Sequence, residues 1–260
     1  MKLPGELVDY IMDMLCDDFP TLGACSLTCK AMFASTRRLI HQTLLLTRGN
    51  NQSVLTREEC GLLKYTRRVH VRDPGIFTPE TLQLPHFHYF HSLDRVHTLI
   101  VEHYDAASWE KHYTPCLSHL YPTLTSLALS CRPHGHYRAI CQFILQFPNL
   151  ENVSLERLQD EVESESSVPT TVDRFPPLRG HLRLAFLSGS DQWLVNFARD
   201  FRTRIHFRSV ELETSVLGDH TQRILKACAH TIQFLTIATP GTGTHQLLFP
   251  VLAKCGRAIG

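Results

Sequence analysis

Short triplets of the form apolar, variable, apolar recur along most of the chain and predict strands of one design. Seven of them stand out, at residues 69–71, 99–101, 127–129, 153–155, 182–184, 210–212 and 235–237. Successive triplets end 30, 28, 26, 29, 28 and 25 residues apart. Such regular spacing is typical of a repeat array, in which each unit is one supersecondary element.

Helix-like segments separate several of these strands, at residues 137–147, 192–201 and 220–229. The spacing is near the period of leucine-rich repeats, which is about 20–29 residues. We therefore expect residues 66–260 to form an α/β solenoid with a curved parallel sheet. An ordinary α/β domain with evenly spaced strands is the alternative, although no phosphate-binding glycine fingerprint follows any strand.

The first 46 residues differ from the repeats and predict helices. Pro4 suits a first helical turn because its missing N–H would be unpaired there, and residues 6–16 contain neither Gly nor Pro. Acidic residues form one stripe of this helix, and Val8, Tyr10 and Met12 widen the apolar side beyond what one neighbour usually covers. The centre of that apolar side consists of Leu7, Ile11, Met14 and Leu15.

A second, Cys-rich helix is predicted from Leu22 onward. Leu27 lies roughly opposite its apolar stripe, which consists of Leu22, Cys25, Cys29, Met32 and Phe33. A helical unit confined to residues 1–46 is too small for a self-sufficient core. It must therefore pack either on the rest of this chain or on a partner protein.

Charge and cysteine content exclude several classes of protein. Lys and Arg total 26 and Asp and Glu total 25, so the net charge of +1 argues against nucleic acid or an anionic membrane as a partner. The amino terminus lacks the apolar run of a secretory signal. Pro240 and Gly241 interrupt the one long uncharged stretch, so no membrane span is expected. The nine scattered cysteines are predicted to be buried, reduced thiols in a cytoplasmic or nuclear protein.

Few residues suggest catalysis or metal binding. His86, His88 and His91 have no Cys or carboxylate nearby at the spacing of a structural zinc site. Cys131 is followed by histidines, but closeness in sequence does not place a thiol beside a base in the fold. We therefore expect no catalytic residue, no metal and no cofactor.

Three segments fall outside the helical unit and the regular repeats. Residues 47–65 are expected to form a linker with a short helix. Residues 157–172 mix Asp and Glu with Ser and predict a flexible acidic loop. Residues 246–255 are predicted to form a last helix.

The amino-terminal residues resemble an F-box. The resemblance rests on Leu3-Pro4-Gly5-Glu6-Leu7, then Ile11 and Leu15, then Cys25-Ser26-Leu27-Thr28-Cys29-Lys30, and it covers residues 1–46. Many F-boxes have a Trp two residues after the final Cys-Lys or Cys-Arg pair, where this chain has Met32 and Phe33. With degenerate repeats behind it, the chain is similar to the expanded F-box family of basidiomycete fungi.

The resemblance implies a three-helix F-box and a non-catalytic substrate receptor of a cullin-RING ubiquitin ligase. The F-box would bind a Skp-type adaptor and through it a cullin, and the repeats would bind an unidentified protein substrate. The alternative is a repeat scaffold whose F-box no longer recruits a ligase. The adaptor contacts that the resemblance implies are Leu3, Pro4, Leu7, Ile11, Leu15, Ser26, Leu27, Cys29 and Phe33.

The target-binding surface of a solenoid usually lies on its strand face. Side chains that alternate with the apolar strand positions are candidates for this surface because they point away from the core. Their charges are mixed, with a slight acidic excess that favours a basic target. The predicted target-binding residues are His70, Arg72, Glu102, Glu156, Arg183, Glu211 and Glu213.

Overall fold

The computed structural model describes residues 4–16, 18–47, 57, 59–72, 92–106, 109–110, 113–131, 137–158, 178–186, 196–197, 205–213, 225–226, 229–238 and 244–247. Within these residues, three helices come first and one sheet of nine strands follows, with short helices between some of the strands. The chain is therefore α/β, as the sequence predicts. His86, His88, His91, Leu3 and the acidic segment after residue 158 lie outside the described residues.

The three amino-terminal helices are α1 (Gly5–Met14), α2 (Phe19–Ser26) and α3 (Lys30–Ile40). Helix α3 packs against both α1 and α2. The small core between them consists of the buried side chains Val8, Met12, Leu22 and Leu39.

The second predicted helix is divided into α2 and α3. The Ser26 hydroxyl donates to the Gly23 carbonyl at 2.6 Å, and the Thr28 hydroxyl donates to the Cys25 carbonyl at 2.8 Å. These side chains hydrogen-bond carbonyls at the end of α2, and the Cys25 carbonyl also accepts the Thr28 backbone amide at 3.1 Å. Cys29 is then extended, with φ −156°, before α3 begins. The prediction of one apolar stripe over residues 22–33 is therefore wrong.

All seven predicted strands are present in one sheet, whose strand order follows the chain. Strands β1 to β8 are parallel, and β9 pairs antiparallel with β8. The strands are β1 (Thr43–Leu46), β2 (Arg68–Val71), β3 (Thr98–Tyr104), β4 (Ser126–Cys131), β5 (Asn152–Leu158), β6 (His181–Phe186), β7 (Ser209–Glu213), β8 (Phe234–Ala238) and β9 (Thr244–Leu247).

The two ends of the sheet differ from the sequence analysis. Residues Thr43–Leu46, which that analysis placed in the helical unit, form β1 and pair with β2. Gln246 and Leu247 lie in β9, so the prediction of a helix at 246–255 is wrong for these two residues. In β9 the backbone pairs with the exposed edge of β8, and such pairing outweighs a local helical preference.

The parallel register stacks like residues on like residues across the sheet. Two rows of aliphatic side chains, termed the apolar rows, run along one face and form most of the core beneath the strands. One row is Leu44, Val69, Leu99, Leu127, Val153, Leu182, Val210 and Leu235. The other row contains Leu46, Val71, Val101, Leu129, Leu155, Leu184 and Leu212.

Aromatic side chains extend the core around the helices that follow β3 and β4. These helices are α4 (Thr114–Leu117) and α5 (Tyr137–Ile144). The Phe143 ring stacks on Tyr104 with 4.9 Å between centroids, and Trp109 stacks on Tyr113 at 4.6 Å. The Trp109 indole N–H donates to the Tyr121 hydroxyl at 3.3 Å, which satisfies a buried donor.

Strands β3 and β5 each contain one extra residue near the carboxyl end. The register with the next strand shifts between Glu102 and Tyr104 in β3, and between Glu156 and Leu158 in β5. The inserted residues, His103 and Arg157, both have φ 58°, which is unfavourable for residues other than glycine. A bulge therefore follows a glutamate in both strands.

Gly180 lies where two neighbouring strands approach closely. A Cβ atom there would meet the Glu151 carbonyl oxygen at 2.9 Å and would also contact the Asn152 side chain. That side chain is held by two hydrogen bonds, accepting from the His181 amide at 2.9 Å and donating to the Ser126 hydroxyl at 3.0 Å. The two strands therefore leave no room for a side chain at position 180.

Replacing Gly180 with Ala should lower the free energy of unfolding by about 1–3 kcal/mol, because the added methyl group overpacks the site. Urea denaturation measures this change. The matched control is Gly23→Ala, since nothing lies within 4 Å of a Cβ at Gly23 in α2. The control should be neutral or stabilising by up to about 1 kcal/mol. Equal stability of both variants would contradict the close approach at Gly180.

Candidate functional site

The three-helix unit exposes large apolar side chains over helices α1 to α3. Leu27, at the end of α2, is 87% exposed, and Met14 of α1 is 71% exposed. We term this set the apolar surface. Its members are Leu7, Tyr10, Ile11, Met14, Phe19, Leu27 and Phe33.

Four of the adaptor contacts implied by the F-box resemblance belong to the apolar surface: Leu7, Ile11, Leu27 and Phe33. The other described ones are placed differently. Pro4 and Cys29 are exposed, whereas Leu15 packs against the small core and Ser26 is half-buried with its hydroxyl bonded to Gly23.

Three residues of the apolar surface were not among those implied contacts. Tyr10 and Met14 were recognised only as part of an apolar side of α1 that is too wide for one neighbour. Phe19 begins α2 and carried no signal in the sequence, because a helix that starts at residue 19 was not expected.

The acidic stripe of α1 contacts α3 rather than solvent alone. The Ser35 hydroxyl donates to Asp9 at 2.5 Å, and the Arg38 guanidinium donates to Asp13 at 2.8 Å. The burial of Val8 and Met12 orients α1, with these contacts beside it, and leaves Leu7 and Ile11 outward. At the start of α3, the backbone amide of Met32 lowers the pKa of the exposed Cys29 thiol.

A second candidate surface is the face of the sheet opposite the apolar rows, which we term the polar face. Glu102 on β3 is at the centre of its first charged cluster. The carboxylate lies 2.8 Å from Nε2 of His70, which is in β2. It lies 3.2 Å from Nε of Arg72, the residue that follows β2. The sequence predicted these three residues as target-binding, and the structure brings them together.

The second charged cluster of the polar face is built around Arg183 on β6. Its guanidinium lies 2.7 Å from Glu156, 3.2 Å from Glu211 and 3.6 Å from Glu213. Three carboxylates share one guanidinium, so the cluster carries an excess of two negative charges. His181, which the sequence analysis missed, lies 3.8 Å from Glu211.

The two charged clusters are separated by one strand, β4. In the register, Glu102 pairs with Ser130, and Ser130 pairs with Glu156. Two strand spacings amount to about 10 Å, so a single extended peptide could contact both clusters. The strip between them on β4 contains the small neutral residues Ala128 and Ser130.

The amino-terminal edge of the sheet is basic. His41 precedes β1 and His97 precedes β3, and partial desolvation lowers the pKa of both imidazoles, although the His97 side chain is largely exposed. The Arg57 guanidinium lowers the pKa of His41 further, and the Arg67 guanidinium does the same for His97. Like charges at this edge thus disfavour protonation of both imidazoles.

We expect the free energy of unfolding to decrease as pH falls from about 8 to about 5. The pKa of His97 is lower in the folded state than in the unfolded state. The contribution of neutral His97 to stability is therefore complete above the unfolded-state pKa, near 6.5, and is lost as pH falls through the folded-state pKa. Urea denaturation at several pH values should show a smaller decrease for His97→Gln than for the unmodified chain. Parallel curves for the two proteins would contradict this contribution. Added salt should reduce the part of the His97 pKa shift that is due to the charge of Arg67.

The cysteines only partly match the sequence analysis. Cys131 and Cys141 are buried thiols, and burial raises the pKa of Cys131 to about 12, which argues against a nucleophilic thiolate. Cys29 and Cys60 are exposed, so the prediction of burial is wrong for them. Among the described residues, no three His, Cys, Asp or Glu side chains form a metal-binding group.

The functional interpretation rests on the chemistry of the apolar surface and of the polar face. A scan against protein-family models and a search of the curated proteins each found no match to this chain. In the described part of the chain, no helix combines the length and apolar character needed to cross a bilayer.

Proposed function

We propose that this protein is the substrate-recognition subunit of a cullin-RING ubiquitin ligase. The three-helix unit binds a Skp-type adaptor, and the sheet binds a protein target. The observation that supports this proposal is the apolar surface of α1 to α3, together with the F-box-like residues that contribute to it.

The balance of buried and exposed side chains in the helical unit favours a partner. Among the described residues of this unit, four aliphatic or Met side chains are fully buried in its core, whereas seven large apolar side chains are exposed. Burying one such side chain contributes about 1.5–3 kcal/mol. Covering the apolar surface would thus contribute on the order of 10 kcal/mol before the entropic cost of association.

The polar face suits the target-binding role of the proposed receptor. Its charged groups come from separate strands and remain accessible at the surface of a rigid sheet. A ligase receptor holds its target near the transfer site and needs no catalytic residue of its own, since proximity supplies the rate advantage.

Substituting two residues of the apolar surface should strongly weaken adaptor binding. In the full chain, Ile11→Asp with Leu27→Asp should weaken co-purification with a Skp-type adaptor by on the order of 100-fold or more, because two desolvated contacts are lost. Both side chains are already exposed, so the variant should keep its folding stability. The matched control is Phe234→Ser, which removes a 53% exposed aromatic residue from β8.

The outcome separates the proposed receptor from a scaffold. Equal adaptor recovery from the Ile11/Leu27 variant and the unmodified chain would contradict the proposal. Adaptor binding without recovery of a cullin would instead support a scaffold whose F-box no longer recruits a ligase.

Removing the excess negative charge of the polar face should weaken capture of a basic target. Glu211→Gln with Glu213→Gln eliminates both charges and adds none beside Arg183. Crosslinking and mass spectrometry should show loss of target peptides from this variant while the adaptor is retained. The control is Glu151→Gln, an exposed carboxylate outside the polar face. Unchanged capture by the double variant would count against this face.

A further inference from the structure

A cavity of about 380 Å³ lies at the amino ends of β6, β7 and β8. This volume is within the range of ligand-binding pockets, about 300–1,000 Å³. The cavity is open to solvent, since most of its lining side chains are exposed. They are Arg179, His206, Arg208, His230, Thr231 and Gln233.

Backbone hydrogen bonds stack the three segments that line the cavity. The Arg208 amide donates to the Gly180 carbonyl at 3.0 Å, and the Gln233 amide donates to the Arg208 carbonyl at 2.7 Å. The buried residues Ile205 and Phe207 anchor the central segment in the core. The lining side chains therefore project from a fixed frame, which favours a preformed site.

The cavity has positive charge that the described residues do not neutralise. Within the described part of the chain, no carboxylate contacts the guanidinium of Arg179 or Arg208, in contrast to Arg183 with its three glutamates. Glu151, whose carbonyl oxygen accepts the Gly180 amide, does not line the cavity.

Two imidazoles complete one side of the cavity. Nε2 of His230 and Nδ1 of His206 are 3.3 Å apart, and the rings meet edge to face. In this contact one ring nitrogen donates to the other, and the tautomers of the two imidazoles determine which one is the donor. Guanidinium and imidazole donors, with the side-chain amide of Gln233, form the donor set that oxyanions prefer.

We propose that this cavity binds a terminal phosphoryl group, either as free phosphate or as a phosphate monoester. A phosphoryl dianion offers three acceptor oxygens, and two guanidinium groups can contact it in bidentate fashion. The cavity is larger than one phosphate ion, so a carried phosphoryl group should bind more tightly than the free ion. The inference does not depend on the ligase proposal.

Titration calorimetry on the full chain would test the site with three probes: inorganic phosphate, O-phosphoserine and dimethyl phosphate. Arg179→Gln with Arg208→Gln should weaken binding of the first two by about tenfold or more, because charge-assisted hydrogen bonds are lost. The matched control is Arg67→Gln. Arg67 is exposed and occupies the same position before β2 that Arg208 occupies before β7. It should change the affinity by less than about twofold, because it does not line the cavity.

The outcomes decide both the site and the source of the phosphoryl group. Tighter binding of O-phosphoserine identifies a monoester ligand, and tighter binding of inorganic phosphate identifies the free ion. No binding of either, equal binding of dimethyl phosphate, or equal loss with Arg67→Gln would overturn the proposal. The imidazole NMR signals of His206 and His230 should shift on addition of phosphate, and unchanged signals would also overturn it. Adaptor recovery by the double variant should be unaffected.

Discussion

The in-register stacking of the apolar rows is the constraint on which the rest of the structure depends. Each strand places two aliphatic side chains on the buried face, and the parallel register aligns them from β1 to β8. A shift of one residue in any strand would turn its aliphatic side chains outward and bring charged ones inward. Both the polar face and the basic cavity are positioned by this register, because their residues lie at fixed offsets from the apolar rows.

The sequence predicted the strands well because burial demands an aliphatic residue at every second position of each strand. It did not reveal that α2 ends at Ser26, since the Ser and Thr side chains that end the helix also occur inside helices. It also did not place Leu44 and Leu46 in the sheet, because an apolar run after a helix fits either element. Exposure of Leu27 and of Phe19 depends on where α2 ends and begins, which the predicted stripe did not indicate.

The net charge of this molecule conceals an uneven distribution of charged groups over its surface. The net charge of +1 excludes a general attraction to anions, yet basic groups gather at the amino edge of the sheet and acidic groups around Arg183. Arg179 and Arg208 are far apart in sequence and become neighbours only through the strand register. The composition therefore could not indicate the cavity, while the candidate target residues were visible because each follows an apolar strand position directly.

The antiparallel strand β9 has a consequence for self-association. In an open parallel sheet the first and last strands are complementary, so identical molecules can add end to end and build a fibre. Here β9 occupies the edge of β8 and runs against it, which presents reversed backbone polarity to any incoming β1. The parallel repeat is thereby interrupted at this edge by a strand of four residues, because an incoming β1 in the orientation of the repeat would lie antiparallel to β9.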